Sequence, residues 1–466
     1  MRISGGIAAA VFACGGLSTT GAAANGRYPA STQVVFSADP DLIVVRATYG
    51  LLISRDSGAT WRWVCESALG VPSVSVEDPS VALTANDALF VGLAEGLEVS
   101  RDSAGGAHAL GCSFACAAGP LAGVSVADLA AVPPRTVLAL SSTYVWGDAG
   151  NASLDTRIWE TDDDGAHWTQ RGGAFDPAVS VTTLDVAPSD PERLYVSGTR
   201  GFGAVRTASL FVSTDGGESW TERPMPFDGA NEVSAFIGAV DPHNADRVYV
   251  RSSGVSRLFV TSDAGRSFQV PLAFTGPMLG FAIAADGSRV YAGSPEDGLL
   301  VAARGDADGG LAFHQASSIH VQCLASRGSE LWACSDEASG FSVGVSVDDG
   351  ARFAPRLLSG DLPSPVACAP DPRGPFACGA SANASQCGGN AFDAVCTTLA
   401  GCRQDAGASD GSGAPGLTAD ASAQAVRARL ASCGCSVAAG DSSTEVGAAC
   451  TLAALAVRRR RRRIFD

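Results

Sequence analysis

The stretch Ser213-Thr214-Asp215-Gly216-Gly217-Glu218-Ser219-Trp220 decides the fold, because its pattern returns along most of the chain. The pattern is Ser/Thr-x-Asp-x-Gly-x-x-Trp/Phe, and each copy follows a short apolar run. An aspartate accepts hydrogen bonds from backbone N–H groups of a turn, and glycine adopts positive φ without steric cost. The spacing therefore predicts a hairpin turn whose aromatic residue opens the outgoing strand. Four further intact copies span residues 54–61, 161–168, 261–268 and 346–353.

The spacing of these copies predicts how many repeats the chain contains. A damaged copy begins at Ser100, and the 85-residue gap between Asp263 and Asp348 is close to twice a single repeat. We assign a worn seventh repeat to residues 298–313 within that gap. Periods of roughly 40–50 residues are typical of propeller blades with four short strands. Five aspartates are then expected to shape the turns: Asp56, Asp163, Asp215, Asp263 and Asp348.

One repeat shows the order of strands within a blade. Residues 181–187 alternate between apolar and polar positions and predict the innermost strand, while 193–197 and 208–213 predict the second and third. Trp220 then opens the outermost strand. No long amphipathic helical pattern interrupts this order. The prediction is an all-β protein, a seven-bladed β-propeller over about residues 30–360.

These turn motifs resemble the Asp-box (BNR) repeat of sialidases, sortilin-like domains and related propellers. The resemblance implies a propeller scaffold, and it leaves the activity open because a fold does not carry a function. Sialidases add an Arg-Ile-Pro segment, an arginine triad and a Tyr–Glu pair. Arg-Ile-Pro is absent from this sequence, and the other residues have no recognisable counterparts. We therefore predict no catalytic residue.

Composition limits the classes of partner. The net charge is −16, all 32 basic residues are arginine, and the six charges of residues 458–463 form one terminal block. An acidic body disfavours nucleic acid, whose phosphates need a basic surface. The five histidines show no metal-ligand spacing. We predict no metal, no cofactor and no nucleic-acid partner.

The N-terminus and the cysteines indicate export. Residues 1–24 combine one positive charge, an apolar run and small residues before Asn25, which predicts a signal peptide cleaved after Ala24. Fourteen cysteines in an exported chain favour disulfides. Two pairs flank short turns between strands and are predicted to bond: Cys323–Cys334 and Cys368–Cys378.

Beyond the propeller, the sequence predicts three segments. Residues 361–402 form a small cysteine-rich appendix, residues 403–432 a flexible linker, and residues 433–466 a C-terminal anchor. The last segment resembles the MYXO-CTERM sorting signal, with Cys433-Gly434-Cys435, an apolar stretch and an arginine cluster. The resemblance implies attachment to the outer cell surface through the membrane, although the apolar residues 446–457 are too few to span a bilayer unaided.

Long loops opposite the aspartate turns are the predicted place for a ligand. Segments 141–155 and 197–207 carry aromatic and arginine side chains, which suit a surface glycan or a protein partner. The alternative is that they are ordinary solvated loops. The predicted function is a binding or structural module, a monomer, with a sialidase-like exo-acting glycoside hydrolase as the alternative. The candidate ligand residues are Tyr144, Trp146, Arg200, Arg206 and Glu296, with Asp148, Phe202 and Asp297 beside them.

Overall fold

The computed structural model describes residues 29–358, except for residues 70, 72–77, 102–109, 111–113, 118, 147–151, 202–205, 229–230, 305–309 and 337. The described part contains seven antiparallel sheets, each made of four strands that are consecutive in the chain. The predicted signal peptide, appendix, linker and anchor lie outside the described residues. The predicted Cys368–Cys378 pair lies outside them as well.

The first four sheets share one antiparallel order of strands. Their bounds are β1 (Ser31–Phe36), β2 (Ile43–Ala47), β3 (Gly50–Ser54) and β4 (Arg62–Cys65); β5 (Ser80–Leu83), β6 (Leu89–Leu93), β7 (Gly96–Ser100) and β8 (Ala115–Cys116); β9 (Val126–Val132), β10 (Thr136–Trp146), β11 (Ala152–Thr161) and β12 (Thr169–Arg171); β13 (Val179–Ala187), β14 (Asp190–Arg200), β15 (Thr207–Ser213) and β16 (Thr221–Pro224).

The remaining three sheets repeat that order. Their bounds are β17 (Glu232–Asp241), β18 (Asn244–Gly254), β19 (Arg257–Thr261) and β20 (Gln269–Ala273); β21 (Gly280–Ile283), β22 (Arg289–Ser294), β23 (Gly298–Ala303) and β24 (His314–Ser317); β25 (Cys323–Arg327), β26 (Glu330–Cys334), β27 (Val343–Ser346) and β28 (Ala354–Leu357). A short 3-10 helix, Glu66–Leu69, follows β4.

The sheets are the blades of a closed ring. The first strand of each sheet packs beside the first strand of the next, and β25 packs beside β1. The protein is therefore an all-β, seven-bladed propeller, as the sequence predicts, and the worn repeat contains β23 of the sixth blade and ends directly before β24. We call the space enclosed by the seven first strands the central channel.

Side chains close the ring between the seventh and first blades. The rings of Phe36 and Trp332 lie edge to face, with centroids 5.9 Å apart. Trp61 Nε1 donates to the carbonyl oxygen of Arg356 at 3.0 Å, and Arg327 Nη1 donates to that of Pro40 at 2.7 Å. Each blade keeps its own four strands, so the closure depends on these contacts and on the apolar cluster around them.

Burial on both faces of the blades explains their composition. All residues of β3 and β6 are buried, because each sheet lies between two neighbouring sheets. The aromatic residues that end the turn motifs contribute to these interfaces. Trp168 of the third blade, for example, meets Phe90 of the second at a centroid distance of 6.1 Å.

The antiparallel order creates two rims. Turns between first and second strands, and between third and fourth strands, lie on one rim, which we call the turn rim. Turns between second and third strands lie on the other, the loop rim, with the connections between blades. The five intact motifs connect third to fourth strands and therefore lie on the turn rim.

The turn built on Asp263 shows how the motif works. Asp263 Oδ1 accepts the backbone N–H of Ser267 at 2.9 Å and the Thr261 hydroxyl at 2.8 Å. Thr261 Oγ1 in turn accepts the N–H of Gly265 at 2.8 Å, and Ala264 has a φ of 56°. The same side-chain and backbone bonds recur at the other four motif aspartates, namely Asp56, Asp163, Asp215 and Asp348.

One of the two predicted disulfides falls within the described residues. Cys323 and Cys334 are directly paired between β25 and β26, and their Cα atoms are 4.7 Å apart. The bond confirms the prediction for this hairpin. It also covalently links the innermost strand of the seventh blade to the second strand.

Candidate functional site

The loop rim carries a projecting hairpin in the third blade. The sequence predicts a lengthened loop at residues 141–155, but β10 and β11 continue into this segment and pair as far as Trp146 and Ala152. The β-branched and aromatic residues at 143–146 favour this extended ladder. Tyr144 and Trp146 stand two positions apart on one side of β10, and their exposed fractions are 62% and 68%.

Arg200, the next predicted ligand residue, is occupied by the protein itself. Its Nη1 donates to Asp176 Oδ2 at 2.7 Å, and its Nη2 donates to Glu222 Oε2 at 2.9 Å. These hydrogen bonds raise the pKa of Arg200, and the pKa of Asp176 is lowered by hydrogen bonds from the backbone N–H of Ala178 and from Arg200. Both carboxylates compete with any external anion for the guanidinium. Arg200 thus links the connection that carries Asp176 to β16, the outermost strand of the fourth blade.

The other predicted residues are distributed around the same rim. Arg206 Nη1 donates to the carbonyl oxygen of Val233 at 3.3 Å, and the exposed Glu296 lies over Gly276. Asp297 accepts bonds from Thr275 and from the Ser294 hydroxyl. Among the described residues, no hydrogen bond, ion pair or ring contact joins the two exposed aromatics to these groups. The neighbouring Asp148 and Phe202 lie outside the described residues.

In four successive blades, a residue of the incoming connection or the first residue of the first strand bonds to the hairpin between the second and third strands. The chemistry differs each time. The fastening pairs, from the fourth blade to the seventh, are Asp176–Arg200, Glu232–Arg257, Thr275–Asp297 and His320–Asp336.

Two carboxylates that the sequence does not single out, Asp128 and Asp185, lie on first strands of the ring. Asp128 of β9 accepts the N–H groups of Leu129 and Leu184, each at 2.9 Å, and so bridges to the first strand of the next blade. Asp185 of β13 accepts the N–H of Val186 at 2.8 Å. Both side chains are half-buried. Their signal in the sequence is that each is the only charged residue of its strand.

The channel shifts the pKa values of these carboxylates. Burial raises the pKa of Asp128 to about 6, against hydrogen bonds from two backbone amides and the charge of Arg46, which lower it. Burial raises the pKa of Asp185 to about 7, and the nearby charge of Asp128 adds to the shift. Each carboxylate therefore changes charge near neutral pH, which suits a group that transfers or responds to protons.

Two arginines, Arg46 and Arg251, lie on second strands of the first and fifth blades. Arg46 of β2 donates from Nε to Thr32 Oγ1 and from Nη1 to the carbonyl oxygen of Pro79, both at 3.1 Å. The guanidinium carbon of Arg251 in β18 lies 4.3 Å from the ring centroid of Phe236. Within the described residues there is no group of three or more His, Cys, Asp or Glu side chains arranged to hold a metal ion.

The similarity of this chain to known proteins is limited to the fold. No protein-family model and no curated protein matches the chain. Among solved structures, a GH74 xyloglucanase from Xanthomonas campestris is 16% identical with a TM-score of 0.32, and the match covers 75% of this chain and 66% of that one. An ancestral GH74 enzyme is 16% identical with a TM-score of 0.43, covering 66% and 44%. YCF48 bound to a D1 peptide is 16% identical with a TM-score of 0.33, covering 51% and 68%.

These neighbours include enzymes and a peptide-bound propeller of the same general architecture. The chain spans less than two thirds of the length of both GH74 enzymes. At such identities and TM-scores, no reaction and no ligand transfers from them to this chain. In the part of the chain that the structure describes, no helix is long and apolar enough to cross a membrane.

Proposed function

We propose that this protein is an Asp-box propeller of the outer cell surface that binds a glycan through its loop rim. The observation that carries the proposal is the projecting hairpin of the third blade, with Tyr144 and Trp146 exposed side by side. Every other tryptophan among the described residues is at least half-buried. When a ligand covers an aromatic ring that is exposed to water, the burial of the ring favours binding.

Physical chemistry favours a sugar as the occupant of these rings. Two residues on one side of a strand are separated by roughly 6–7 Å, and flat rings at that spacing offer stacking surfaces to the C–H faces of sugars. The exposed carboxylate of Glu296 and the remaining guanidinium donors of Arg206 supply polar groups elsewhere on the rim. A protein partner would use the same rings, and it is the competing outcome of the test.

The setting of this activity follows from the ends of the sequence. The predicted signal peptide at residues 1–24 supports export, and the resemblance of residues 433–466 to a MYXO-CTERM segment supports attachment at the surface through the membrane. We infer a monomer there, with no cofactor, no metal and no nucleic-acid partner.

A glycoside hydrolase is the second candidate, and one observation favours it. Asp128 and Asp185 both have a pKa near neutrality, and their charges interact. Glycosidases use two carboxylates of which one is protonated. Against this role, both aspartates accept backbone N–H groups of the propeller and so have a structural function.

The test is a glycan array beside a panel of chromogenic glycosides, using the purified protein. We expect Trp146→Ala and Tyr144→Ala to weaken glycan binding at least tenfold while melting as the wild type does, because both rings are exposed. Val347→Ala is the matched control, since Val347 is exposed to 75% on the opposite rim and should leave binding unchanged. Equal binding by both aromatic variants would contradict the proposal. Turnover of a glycoside that Asp185→Asn abolishes would favour the hydrolase.

A further inference from the structure

One edge of β10 has no neighbouring strand at the end of the projecting hairpin. β10 pairs with β11 as far as Trp146, but its pairing with β9 stops at Ser141. Within the described residues, the last backbone bond on the β9 side runs from the N–H of Ser142 to the carbonyl oxygen of Ser125, at 2.9 Å. Residues 143–146 therefore extend beyond β9, and we call their free side the open edge of β10.

The hydrogen bonds of β11 show in which direction the backbone groups of the hairpin point. Leu154 donates its N–H to the carbonyl oxygen of Pro177 at 3.1 Å, and the carbonyl oxygen of Thr156 accepts the N–H of Phe175 at 3.0 Å. Both residues therefore direct their backbone groups away from β10. In an antiparallel ladder, two directly opposite residues either bond to each other or both face outward, and the two kinds of pair alternate.

Tyr144 and Trp146 consequently face the open edge with their N–H and C=O groups. Tyr144 is directly opposite the outward-facing Leu154, and Trp146 is opposite Ala152, two positions further along. Ser142, two positions before Tyr144, faces β9 in the same way. In the part of the chain that the structure describes, no hydrogen bond occupies the backbone N–H and C=O groups of Tyr144 and Trp146.

The open edge lacks the features that usually keep a free strand edge from pairing. Such edges are protected by lysine, proline, a bulge or a covering segment. Residues 142–146 contain neither lysine nor proline, and the described ladder with β11 is regular through them. Val145, on the opposite face from the two rings, is itself 47% exposed. Aromatic and β-branched residues beside a free row of N–H and C=O groups favour the addition of another strand.

We propose, on the basis of the glycan binding already proposed for this rim, that the open edge pairs with an extended peptide and that this peptide carries the glycan. The peptide would lie antiparallel to β10, as every neighbouring strand in the blade does, and would take the place of β9 beyond Ser141. Each residue opposite Tyr144 or Trp146 then exchanges two backbone bonds with it. The ligand is a glycopeptide segment of a protein.

Strand pairing also brings the sugar to the rings. The side chains of directly opposite residues lie on one face of a ladder, with Cβ atoms about 4.5–5.5 Å apart. A sugar attached to the peptide residue opposite Tyr144 or Trp146 therefore lies against an exposed ring. The next residue of the peptide directs its side chain to the face of Val145 instead. A free sugar can stack on the same rings, but it leaves the backbone groups of the open edge without a peptide partner.

The experiment compares three ligands by calorimetry, using the smallest glycan that binds on the glycan array. They are its methyl glycoside, a pentapeptide of alternating threonine and valine with the glycan on the central threonine, and the same peptide without the glycan. We expect the glycopeptide to bind at least tenfold more tightly than either of the others. Equal affinity for glycopeptide and methyl glycoside would overturn the peptide pairing and leave the glycan proposal intact.

Two further outcomes separate the ligand classes. If the unglycosylated peptide bound as tightly as the glycopeptide, the ligand would be a peptide alone and the proposal would be wrong. If the glycan bound in neither form, the proposed function and the peptide pairing would both be wrong.

N-methylation of the glycopeptide tests the backbone bonds directly. In the antiparallel pairing, the N–H of the glycosylated residue faces β10, and the N–H of the next residue faces away. A methyl group on the first nitrogen should reduce affinity to that of the methyl glycoside, and one on the second should change it by less than twofold. Equal effects of the two methyl groups would contradict the pairing.

A pair of variants tests the same bonds from the side of the protein. Tyr144→Ala and Tyr144→Pro both remove the ring, but only proline removes the N–H that faces the open edge. Proline is tolerated at such an edge position. Tyr144→Pro should bind the glycopeptide at least fivefold more weakly than Tyr144→Ala, and Val347→Ala on the turn rim is the control that should bind as the wild type does. Melting is measured in parallel, and equal binding by folded Tyr144→Pro and Tyr144→Ala would overturn the proposal.

Discussion

On the turn rim, five turns use the same hydrogen bonds, whereas on the loop rim each fastened blade uses a different contact. The turn of Asp263 repeats at four other places with the same donors and acceptors. On the opposite rim, Arg200 bridges two carboxylates while Asp297 accepts a threonine and a serine hydroxyl. The repeated hydrogen bonds therefore lie on the rim whose turns pack between blades, and the varied contacts lie on the rim that we propose binds a ligand.

The difference has a physical origin in the neighbours of each turn. Glycines of the turn rim lie against the preceding blade: a Cβ built on Gly350 would lie 2.2 Å from Leu299 Cδ2, and one on Gly165 would lie 2.9 Å from Phe90 Cε1. The motif thus serves a local turn and an interface between blades at once. By contrast, a Cβ at Gly173, in the connection between the third and fourth blades, meets no atom within 4 Å, so this position has room for a side chain.

The largest effect is expected where a turn glycine touches the neighbouring blade. Gly350 has a φ of 84° and contacts the buried Leu299. Gly350→Ala should lower the free energy of unfolding by about 3 kcal/mol, from backbone strain and overpacking together. Gly173→Ala on the loop rim is the matched control and should change it by less than about 0.5 kcal/mol. Chemical denaturation measures both, and equal effects would remove the distinction between the rims.

The sequence predicts one rim far better than the other. The Asp-x-Gly turns, the seven blades and the Cys323–Cys334 hairpin depend on residues that are close in sequence, so a single repeat already contains the information. The sequence predicts a loop at residues 141–155, where the structure has a paired hairpin, because the pairing depends on two segments whose connection has no fixed length. Tyr144 and Trp146 are exposed at the end of this hairpin.

The channel residues were missed for a related reason. Asp128 and Asp185 lie on the first strands of two neighbouring blades, and each is the only charged residue of its strand. Only the packing of one blade beside the next brings the two carboxylates near each other. The sequence predicts Arg200 as a ligand residue because it lies in a long segment. Its partners Asp176 and Glu222 lie in a connection between blades and in an outer strand, and the sequence does not show that these elements lie next to Arg200.

The second effect concerns the pH dependence of stability and a buried carboxylate, Glu98, that lies between the two rims. Glu98 lies in the middle of β7 and is 1% exposed, and neither of its carboxylate oxygens has a hydrogen-bond partner among the described residues. Burial raises the pKa of Glu98 to about 7. In the unfolded chain Glu98 ionises near its ordinary pKa, so folding becomes less favourable as the pH rises from about 4.5 to 7.

Glu98→Met removes this penalty while keeping a side chain of similar size. We expect it to increase the free energy of unfolding by up to about 3 kcal/mol at pH 8, and by much less at pH 4, because the shift of the pKa sets the difference. Glu296→Met, at an exposed position on the loop rim, is the control. Parallel pH profiles for wild type and Glu98→Met would show that Glu98 has a partner in solution.

The smallest expected effect is the loss of stability when one carboxylate is removed from each rim, Asp263 on the turn rim and Asp297 on the loop rim. Burial would raise the pKa of Asp263, but hydrogen bonds from Ser267 and Thr261 lower it below its ordinary value. Asp297 behaves alike: the effect of burial is outweighed by bonds from Thr275 and Ser294. A lowered pKa means that the stabilising contribution is present above about pH 4 and is lost as the pH falls through the pKa of the folded state.

Asp263→Asn and Asp297→Asn should each cost about 1 kcal/mol at pH 7, the loss of a charge-assisted hydrogen bond, and the cost should shrink toward pH 2. The rims should differ in how far the damage spreads. Because the turn of Asp263 lies at an interface between blades, Asp263→Asn should speed amide hydrogen exchange in β15 and β16 of the preceding blade as well as in its own. Asp297→Asn should do so only in the connection of residues 274–279 that it fastens. If faster exchange spread equally far from both sites, the contacts of the loop rim would stabilise the ring as the repeated turns do. The loop rim would then not be the rim whose sequence is free to vary.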